Sequence, residues 1–308
     1  MRDGTACGRI DRSVRVLTAF VRLSRPLFLY GGFAGVALGA AVAARNGHRV
    51  EPSTYAWTQL LVTAFQLMVH YANDYFDRHG DRASERTAWS GGSGALVDGA
   101  LQPRVALIAA LACAATGAGV TAHFALAGNA AAAWTGVAIG LLSWAYSAPP
   151  LRLSSRGWGE VDAALVVAGL VPLAAYAGFG GGLDGPIARA AAAPFFAMIA
   201  MMLCVEMPDA GADLTAGKLT LVVRYGFARA WLLLAGLAAT ALFLNISTVI
   251  GLGTWAGGLA ITPAAVAGAA LLRQTLTDPR PASLAFGGVA FYAATVTGLA
   301  AAYALAAP

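Results

Sequence analysis

Long runs of apolar residues recur along the 308-residue chain, with short polar stretches between them. Each run has roughly the 17–25 residues that a helix needs to cross a bilayer. The pattern predicts an all-α, polytopic membrane protein in which the shortest breaks fall at Gly128-Asn129 and Ser247-Thr248. The nine predicted transmembrane helices are residues 27–44, 54–72, 104–126, 129–147, 161–180, 189–206, 227–247, 250–272 and 284–306.

Composition supports this prediction and argues against a soluble protein. The chain is 58% hydrophobic and only 11% charged, with a mean hydropathy of +0.67, whereas charged residues make up about 25% of soluble domains. No polar linker separates the apolar runs, so residues 1–308 are predicted to form one integral membrane domain, of which 1–25 is a basic cytoplasmic tail. The first apolar run is longer than the roughly 7–15 residues of a signal-peptide core, which favours a retained helix.

The basic residues predict the orientation in the membrane, because cytoplasmic loops collect Lys and Arg. With nine spans and a cytoplasmic N-terminus, only Arg45, Arg49 and Arg189 of the twenty basic residues lie on the outer side. The chain is therefore expected to be a multi-pass protein of the inner (plasma) membrane. Its three cysteines show no CxxC spacing and are expected to be small hydrophobic residues, not a disulfide or zinc framework.

Six of the fifteen acidic residues are concentrated in two short motifs, at the predicted cytoplasmic ends of spans two and six. Acidic side chains at a bilayer edge are costly unless they are solvated, paired or bound to a metal. The first motif is Asn73, Asp74, Asp77 and Asp81, and the second is Glu206, Asp209 and Asp213.

The two motifs have the chemistry of a divalent-metal site. If span two continues as a helix, Asp74, Asp77 and Asp81 share one face, at i, i+3 and i+7. Mg²⁺ is typically held by one or two carboxylates together with waters and substrate phosphates, so a diphosphate would complete such a site. The alternative is a pair of solvated loop ends whose acids pair with nearby arginines. Those arginines are Arg78, Arg82 and Arg86.

Cations and hydroxyls near both motifs are candidates for binding phosphate oxygens. Lys218, the only lysine, follows the second motif together with Thr220 and Arg224, and Arg152 follows span four. The alternative for the arginines is a positive-inside flank. The Ser-Gly-Gly-Ser-Gly stretch at 90–94 is a weak candidate for a phosphate cradle, because it matches no nucleotide-binding fingerprint.

Aromatic side chains, Tyr146 among them, lie near the membrane face of the motifs. They fit either interfacial packing or stabilisation of an allylic cation by ring faces.

The two motifs resemble those of the UbiA superfamily of intramembrane prenyltransferases, and the resemblance covers nearly the whole chain. The first motif has the family pattern Asn-Asp-x-x-Asp-x-x-x-Asp, and the second is followed by Ala-Gly-Lys-x-Thr-Leu at 216–221. The glycine-rich stretch 90–94 looks closest to the 1,4-dihydroxy-2-naphthoate prenyltransferase branch. Val205 and Glu206 depart from the Asn-Asn pair of that branch, which leaves room for a specialised relative.

The resemblance implies a UbiA-like bundle around a central cavity, in which Mg²⁺ promotes ionisation of a prenyl diphosphate and an acceptor is alkylated. The expected partners are a prenyl diphosphate, an aromatic acceptor and membrane lipid, with no nucleic acid. The alternatives are a terpene cyclase of the same fold, which needs no acceptor, and a secondary transporter, which would place its polar site near the bilayer midplane.

The resemblance also assigns roles to individual residues. The expected metal ligands are Asp74, Asp77, Asp81, Asp209 and Asp213. The expected catalytic residues are Asp74, Asp77, Asp209 and Glu206, and the expected substrate-binding residues are Asn73, Tyr146, Arg152, Lys218, Thr220 and Arg224.

Overall fold

The computed structural model describes residues 4–78, 92–277 and 281–308, and within these ranges the chain forms helices and no strand. The α-helices are α1 Gly4–Ser24, α2 Pro26–Arg45, α3 Pro52–Asp77, α4 Pro103–Leu126, α5 Ala130–Ser147, α6 Gly159–Ala163, α7 Val171–Gly178, α8 Gly185–Glu206, α9 Ala210–Thr215, α10 Leu221–Tyr225, α11 Phe227–Leu252, α12 Trp255–Ala260, α13 Thr262–Thr277 and α14 Pro281–Leu305. A π-helical segment, Ala164–Leu170, joins α6 to α7, and short 3₁₀ turns cover Leu153–Ser155 and Met207–Asp209.

The all-α, multi-pass membrane architecture predicted from the sequence is confirmed. Seven of the predicted spans each lie largely within one helix, and 161–180 covers α6, the π-helical segment and α7, whereas 250–272 begins inside α11 and continues through α12 into α13. By length and apolarity, six helical segments of the described chain qualify as membrane-crossing. The segments that contain α3, α5 and α13 lie outside that set, so the count of nine spans stays a prediction.

The predicted break at Ser247-Thr248 is wrong, because α11 continues through it to Leu252. The hydroxyl of Thr248 donates to a backbone carbonyl one turn earlier, so this polar side chain is satisfied inside the helix. After Leu252 the helix is capped by Gly253, whose φ of 71° suits a residue without a side chain, and Thr254 then caps α12. Polar residues alone do not mark the end of a helix.

The predicted turn at Gly128-Asn129 is confirmed. Gly128 has a φ of 78°, and the side chain of Asn129 caps α5 by accepting the N–H of Ala132 at 3.0 Å. The amide nitrogen of Asn129 also donates to the carbonyl of Ala177 at 2.8 Å, which ties this turn to the end of α7.

Glycines on α2 permit close packing against the helix Gly159–Gly178. A Cβ on Gly35 would lie 2.8 Å from a methyl group of Val171, and one on Gly39 would lie 2.1 Å from the carbonyl oxygen of Pro172. The two glycines are four residues apart and share one face of α2. In membranes, small residues at this spacing let helix backbones approach each other, and van der Waals packing then holds them.

The polar end of the bundle, where both acidic motifs lie, is assembled from loops that are distant in sequence. The N–H of Leu219 donates to the carbonyl of Ser155 at 3.0 Å, which joins the segment before α10 to the segment after α5. Lys218 connects the same segment to Asp77 at the end of α3. Both motifs therefore lie at the same end of the helices.

Candidate active site

Asp77 is the centre of the first motif in the structure. It is the last residue of α3, and its carboxylate is buried. Asn73, one turn earlier, donates from Nδ2 to Asp77 Oδ2 at 3.1 Å and also to the hydroxyl of Ser147 at 3.1 Å. Lys218 Nζ lies 3.0 Å from the same carboxylate oxygen. Asn73 thus orients Asp77, and Lys218 compensates its charge.

The two carboxylate oxygens of Asp77 have different surroundings. Oδ1 is buried and accepts no hydrogen bond from the residues that the structure describes. A guanidinium nitrogen of Arg152 lies 3.6 Å away, within the range of an ion pair but beyond hydrogen-bonding distance. A buried carboxylate oxygen without a donor is energetically unfavourable unless a ligand or cation completes its contacts.

Asp74 is buried one turn before Asp77 and is held by groups from two other segments. Arg25, which separates α1 from α2 with a left-handed φ of 45°, forms an ion pair with Asp74 and donates to Asn73 Oδ1 at 3.2 Å. Ser93 contacts Asp74 with its hydroxyl and with its backbone N–H, 3.3 Å from Oδ2. Arg25 and Ser93 thus join the candidate site, although the sequence assigned neither of them an individual role.

The described part of the glycine-rich stretch faces Asp74. Gly92 and Gly94 have φ angles of 71° and 75°, and between them Ser93 directs its N–H towards that carboxylate. This N–H therefore binds a protein carboxylate in the structure, where the sequence suggested a phosphate cradle. Residues 90 and 91 lie outside the described ranges.

The second motif lies where α8 ends. Glu206 is the last residue of α8, and Pro208 lies in the 3₁₀ turn that follows, as expected for a proline that interrupts a helix. Asp213 is on α9, with Oδ1 3.9 Å from Lys218 Nζ, and its carbonyl accepts the Lys218 N–H at 2.8 Å. Asp209 is half-buried and close enough to Asp213 to act on it electrostatically.

Thr220 and Arg224 are placed differently from the other predicted binding residues. Thr220 is buried at the start of α10, where its hydroxyl accepts the N–H of Val223 at 3.4 Å and so caps the helix. Arg224 is exposed, and it forms no ion pair with a motif carboxylate among the described residues. The structure thus gives Thr220 a capping role and leaves Arg224 at the rim.

Only some of the five predicted metal ligands lie close together in the structure. Asp77 and Asp213 meet through Lys218, while Asp74 is held by Arg25. Within the described ranges, no three carboxylate, His or Cys side chains are grouped closely enough to hold a metal ion. Asp81 lies outside the described residues. Cations, which compete with metals for carboxylates, occupy the positions next to Asp74 and Asp77.

Glu160 is a buried acid beside the site that sequence reasoning missed. It lies on α6 with only 1% of its surface exposed, and its Oε1 accepts the backbone N–H of Leu221. Its carboxyl group is close enough to the Glu206 carboxyl to act on it electrostatically. The available signal was an acid directly before the predicted span 161–180, at the bilayer edge, where an acidic side chain is costly unless it has a partner.

Tyr146, near the end of α5, is within electrostatic range of Glu206, Glu160 and Asp77. Its side chain is therefore close to both the first motif and the buried acids.

Two apolar grooves open at the sides of the bundle. One, of about 640 Å³, runs along α4 and α5 and includes Phe65 and Trp134. The other, of about 430 Å³, is called the α8–α11 groove. It is lined by Val161, Ile199, Leu221, Tyr225, Arg229, Leu233 and Leu237. The motif carboxylates line neither groove, so the expected central cavity stays a prediction.

The sequence of the chain matches the model of the UbiA prenyltransferase family over residues 33–294. The chain belongs to this family. The match includes every described residue of the two acidic motifs. Among proteins with curated functions, none matches the chain.

Solved UbiA structures share the fold at low sequence identity. An apo UbiA homologue from Aeropyrum pernix K1 has a TM-score of 0.68 and 17% identity, covering 88% of this chain and 96% of that one. A UbiA homologue from Archaeoglobus fulgidus bound to DMAPP and Mg²⁺ has a TM-score of 0.63 and 18% identity, covering 91% and 98%. A structure described for digeranylgeranylglyceryl phosphate synthase in membranes has a TM-score of 0.65 and 14% identity, covering 95% and 98%.

Proposed function

We propose that the protein transfers a prenyl group from a prenyl diphosphate to an acceptor within the membrane, in a reaction that requires Mg²⁺. The observation that carries this proposal is the setting of Asp77. Its buried carboxylate faces Lys218 and Arg152, which come from two other segments, and its Oδ1 has no donor in the described structure. Carboxylates and cations at one end of an apolar bundle suit an amphipathic diphosphate.

The donor set fits Mg²⁺, which prefers carboxylate oxygens, waters and substrate phosphates. The residues proposed to hold it are Asp74, Asp77, Asp81, Asp209 and Asp213, with Asn73 orienting Asp77. When bound, Mg²⁺ would neutralise negative charge that develops on the diphosphate leaving group. The Archaeoglobus fulgidus homologues bound to Mg²⁺ together with DMAPP or GPP support this choice of metal and substrate class.

Lys218 and Arg152 are proposed to bind the diphosphate, since each has its charged group next to Asp77 and remains partly accessible. A compact ammonium and a planar guanidinium are common ligands of phosphate oxygens. Arg224, exposed on α10, would act at the entrance. The prenyl chain would extend along the apolar helices into lipid.

In the proposed reaction, the bond between C1 of the prenyl chain and the diphosphate oxygen breaks, and pyrophosphate leaves with the electron pair. A nucleophilic atom of the acceptor bonds to C1 and loses a proton. Tyr146 is proposed to line the path of the allylic cation, whose charge an aromatic ring face stabilises. The proposed acceptor is aromatic, and the proposed location is the plasma membrane with a cytoplasmic N-terminus.

The deciding experiment is product analysis by mass spectrometry. The purified protein is incubated with Mg²⁺ and prenyl diphosphates of different lengths, with and without a panel of aromatic acceptors. We expect an adduct that forms only with an acceptor present and that disappears in excess EDTA. Cyclic hydrocarbons or alcohols formed from the diphosphate alone would contradict transfer and identify a cyclase.

A further inference from the structure

The carboxyl groups of Glu160 and Glu206 face each other, away from bulk water. They are close enough to act on each other electrostatically, since α6 packs against α8, and Oε2 of each is buried without a hydrogen-bond donor among the described residues. Glu160 is 1% exposed, and its other oxygen accepts the N–H of Leu221. Two facing acceptors of like charge are unfavourable in a low-dielectric site unless a proton or a hydrogen-bonding ligand lies between them.

The pair lies beside the α8–α11 groove. Ile199 and Glu206 are seven residues apart on α8 and therefore share a face of that helix. Ile199 lines the groove, as does Leu221, whose N–H binds Glu160. A molecule whose apolar part fills the groove would reach the carboxyl pair with its polar end. The volume of about 430 Å³ is within the range of small-molecule sites.

The pair is also next to the proposed reaction centre. Tyr146 is within electrostatic range of both glutamates and of Asp77. A molecule held by the pair would therefore lie close to Asp77 and to Lys218, which also acts on Glu206 electrostatically. An acceptor at this position would be near the prenyl C1 of a bound diphosphate.

We propose that Glu160 and Glu206 bind the hydroxyl groups of the acceptor, and that this acceptor is a neutral aromatic diol without a carboxylate. The inference rests on the proposed prenyl transfer and specifies its second substrate. Each unpartnered Oε2 would accept one O–H. A carboxylate on the acceptor would add negative charge beside the buried carboxyl groups of Glu160 and Glu206.

The test compares 1,4-dihydroxynaphthalene with 1,4-dihydroxy-2-naphthoate, which differ only in the carboxylate. Both are assayed anaerobically with Mg²⁺ and geranylgeranyl diphosphate, and the binding of each alone is measured by titration calorimetry. We expect the wild-type protein to bind the diol at least about ten-fold more tightly than the naphthoate, because the acidic pair disfavours the negative charge of the naphthoate carboxylate. In Glu206→Gln and Glu160→Gln, this preference should fall to about three-fold or less.

Asp162→Asn is the matched control. Asp162 is a buried acid on the same helix as Glu160, but residues two apart do not share a helix face. The acceptor preference should be unchanged in this variant. Glu206→Gln is the decisive variant if Glu160→Gln fails to fold, because the Glu160 side chain also holds the N–H of Leu221. The KM for the prenyl diphosphate should change less than two-fold in Glu206→Gln.

Tighter binding of the naphthoate by the wild type would overturn the inference, as would an unchanged preference in Glu206→Gln. If Glu206→Gln changes the Mg²⁺ concentration needed for activity but leaves the acceptor preference unchanged, Glu206 belongs to the metal site and the inference is wrong. If the proposed prenyl transfer itself is wrong, the experiment gives a different result. In that case, neither acceptor gives an adduct and no Mg²⁺-dependent pyrophosphate release occurs with any prenyl diphosphate, whatever the calorimetry shows.

Discussion

Lys218 Nζ lies 3.0 Å from Asp77 Oδ2 and 3.9 Å from Asp213 Oδ1, so one ammonium group joins the two acidic motifs. The three residues come from the end of α3, from α9 and from the segment before α10. A cation between two carboxylates reduces their repulsion and keeps a positive charge where a diphosphate would bind.

Replacing Lys218 should therefore impair substrate use more than folding. We expect Lys218→Met to lower kcat/KM for the prenyl diphosphate by at least about 100-fold. Lys218→Arg should retain part of the activity, since it keeps the charge but not the compact geometry. Arg156→Met is the control, because Arg156 is an exposed cation in the neighbouring segment. Equal losses in Lys218→Met and Arg156→Met would indicate an effect of net charge alone.

Asp77→Asn tests the metal site with little change in side-chain size. The substitution removes the charge that Mg²⁺ requires, so we expect pyrophosphate release to fall at least about 100-fold. Excess EDTA should abolish release by the wild type, and added Mg²⁺ should restore it. Glu51→Gln, which changes a partly exposed acid beside Arg49 at the other end of the bundle, should leave activity as in the wild type. Full activity of the wild type in EDTA would rule out the proposed metal.

The sequence predicted the helices well, because apolar runs of bilayer length and the Asn129 cap are local signals. The prediction of a break at Ser247-Thr248 was wrong because the Thr248 hydroxyl donates to a backbone carbonyl within α11, so the helix continues. Periodicity also located the acidic motifs on α3 and at the end of α8. It did not show that Arg25 binds Asp74, because the two residues are brought together by the packing of α2 on α3.

The sequence alone also did not predict that Glu160 and Glu206 form a buried pair. Glu206 was recognised as a departure from the family pattern, but its contact with Glu160 depends on how α6 packs against α8. Likewise, Thr220 matched a binding motif in sequence, and only the structure shows its hydroxyl as the cap of α10.

Gly39→Ala tests the close packing of α2. The added Cβ would lie 2.1 Å from the carbonyl oxygen of Pro172, so a backbone must shift. We expect a loss of about 1–3 kcal/mol in the free energy of unfolding, seen as a lower melting temperature in detergent. Gly119→Ala on α4 is the matched control, since its Cβ would meet nothing within 4 Å. It should be neutral or stabilising by up to about 1 kcal/mol.

The predicted orientation can be tested by cysteine labelling from each side of the membrane. After replacement of the native cysteines, Thr215→Cys should react with an impermeant reagent only from the cytoplasmic side, and Leu183→Cys only from the outside. Both positions are exposed, and they lie at opposite ends of α8 and its continuation. Labelling of both from the same side would contradict the predicted orientation.

Arg25→Met tests whether Mg²⁺ and Arg25 neutralise the same carboxylate. The Asp74 side chain is 3% exposed and that of Arg25 is 22% exposed, and breaking a buried ion pair from one side costs about 3–5 kcal/mol. We expect Arg25→Met to melt at a lower temperature than the wild type in EDTA, and Mg²⁺ to raise its melting temperature more than that of the wild type, because the metal replaces the missing cation. Arg22→Met is the control, since Arg22 forms an exposed pair with Asp98 that contributes about 0–1 kcal/mol. Equal Mg²⁺-induced shifts in Arg25→Met and the wild type would mean that Asp74 is not a metal ligand.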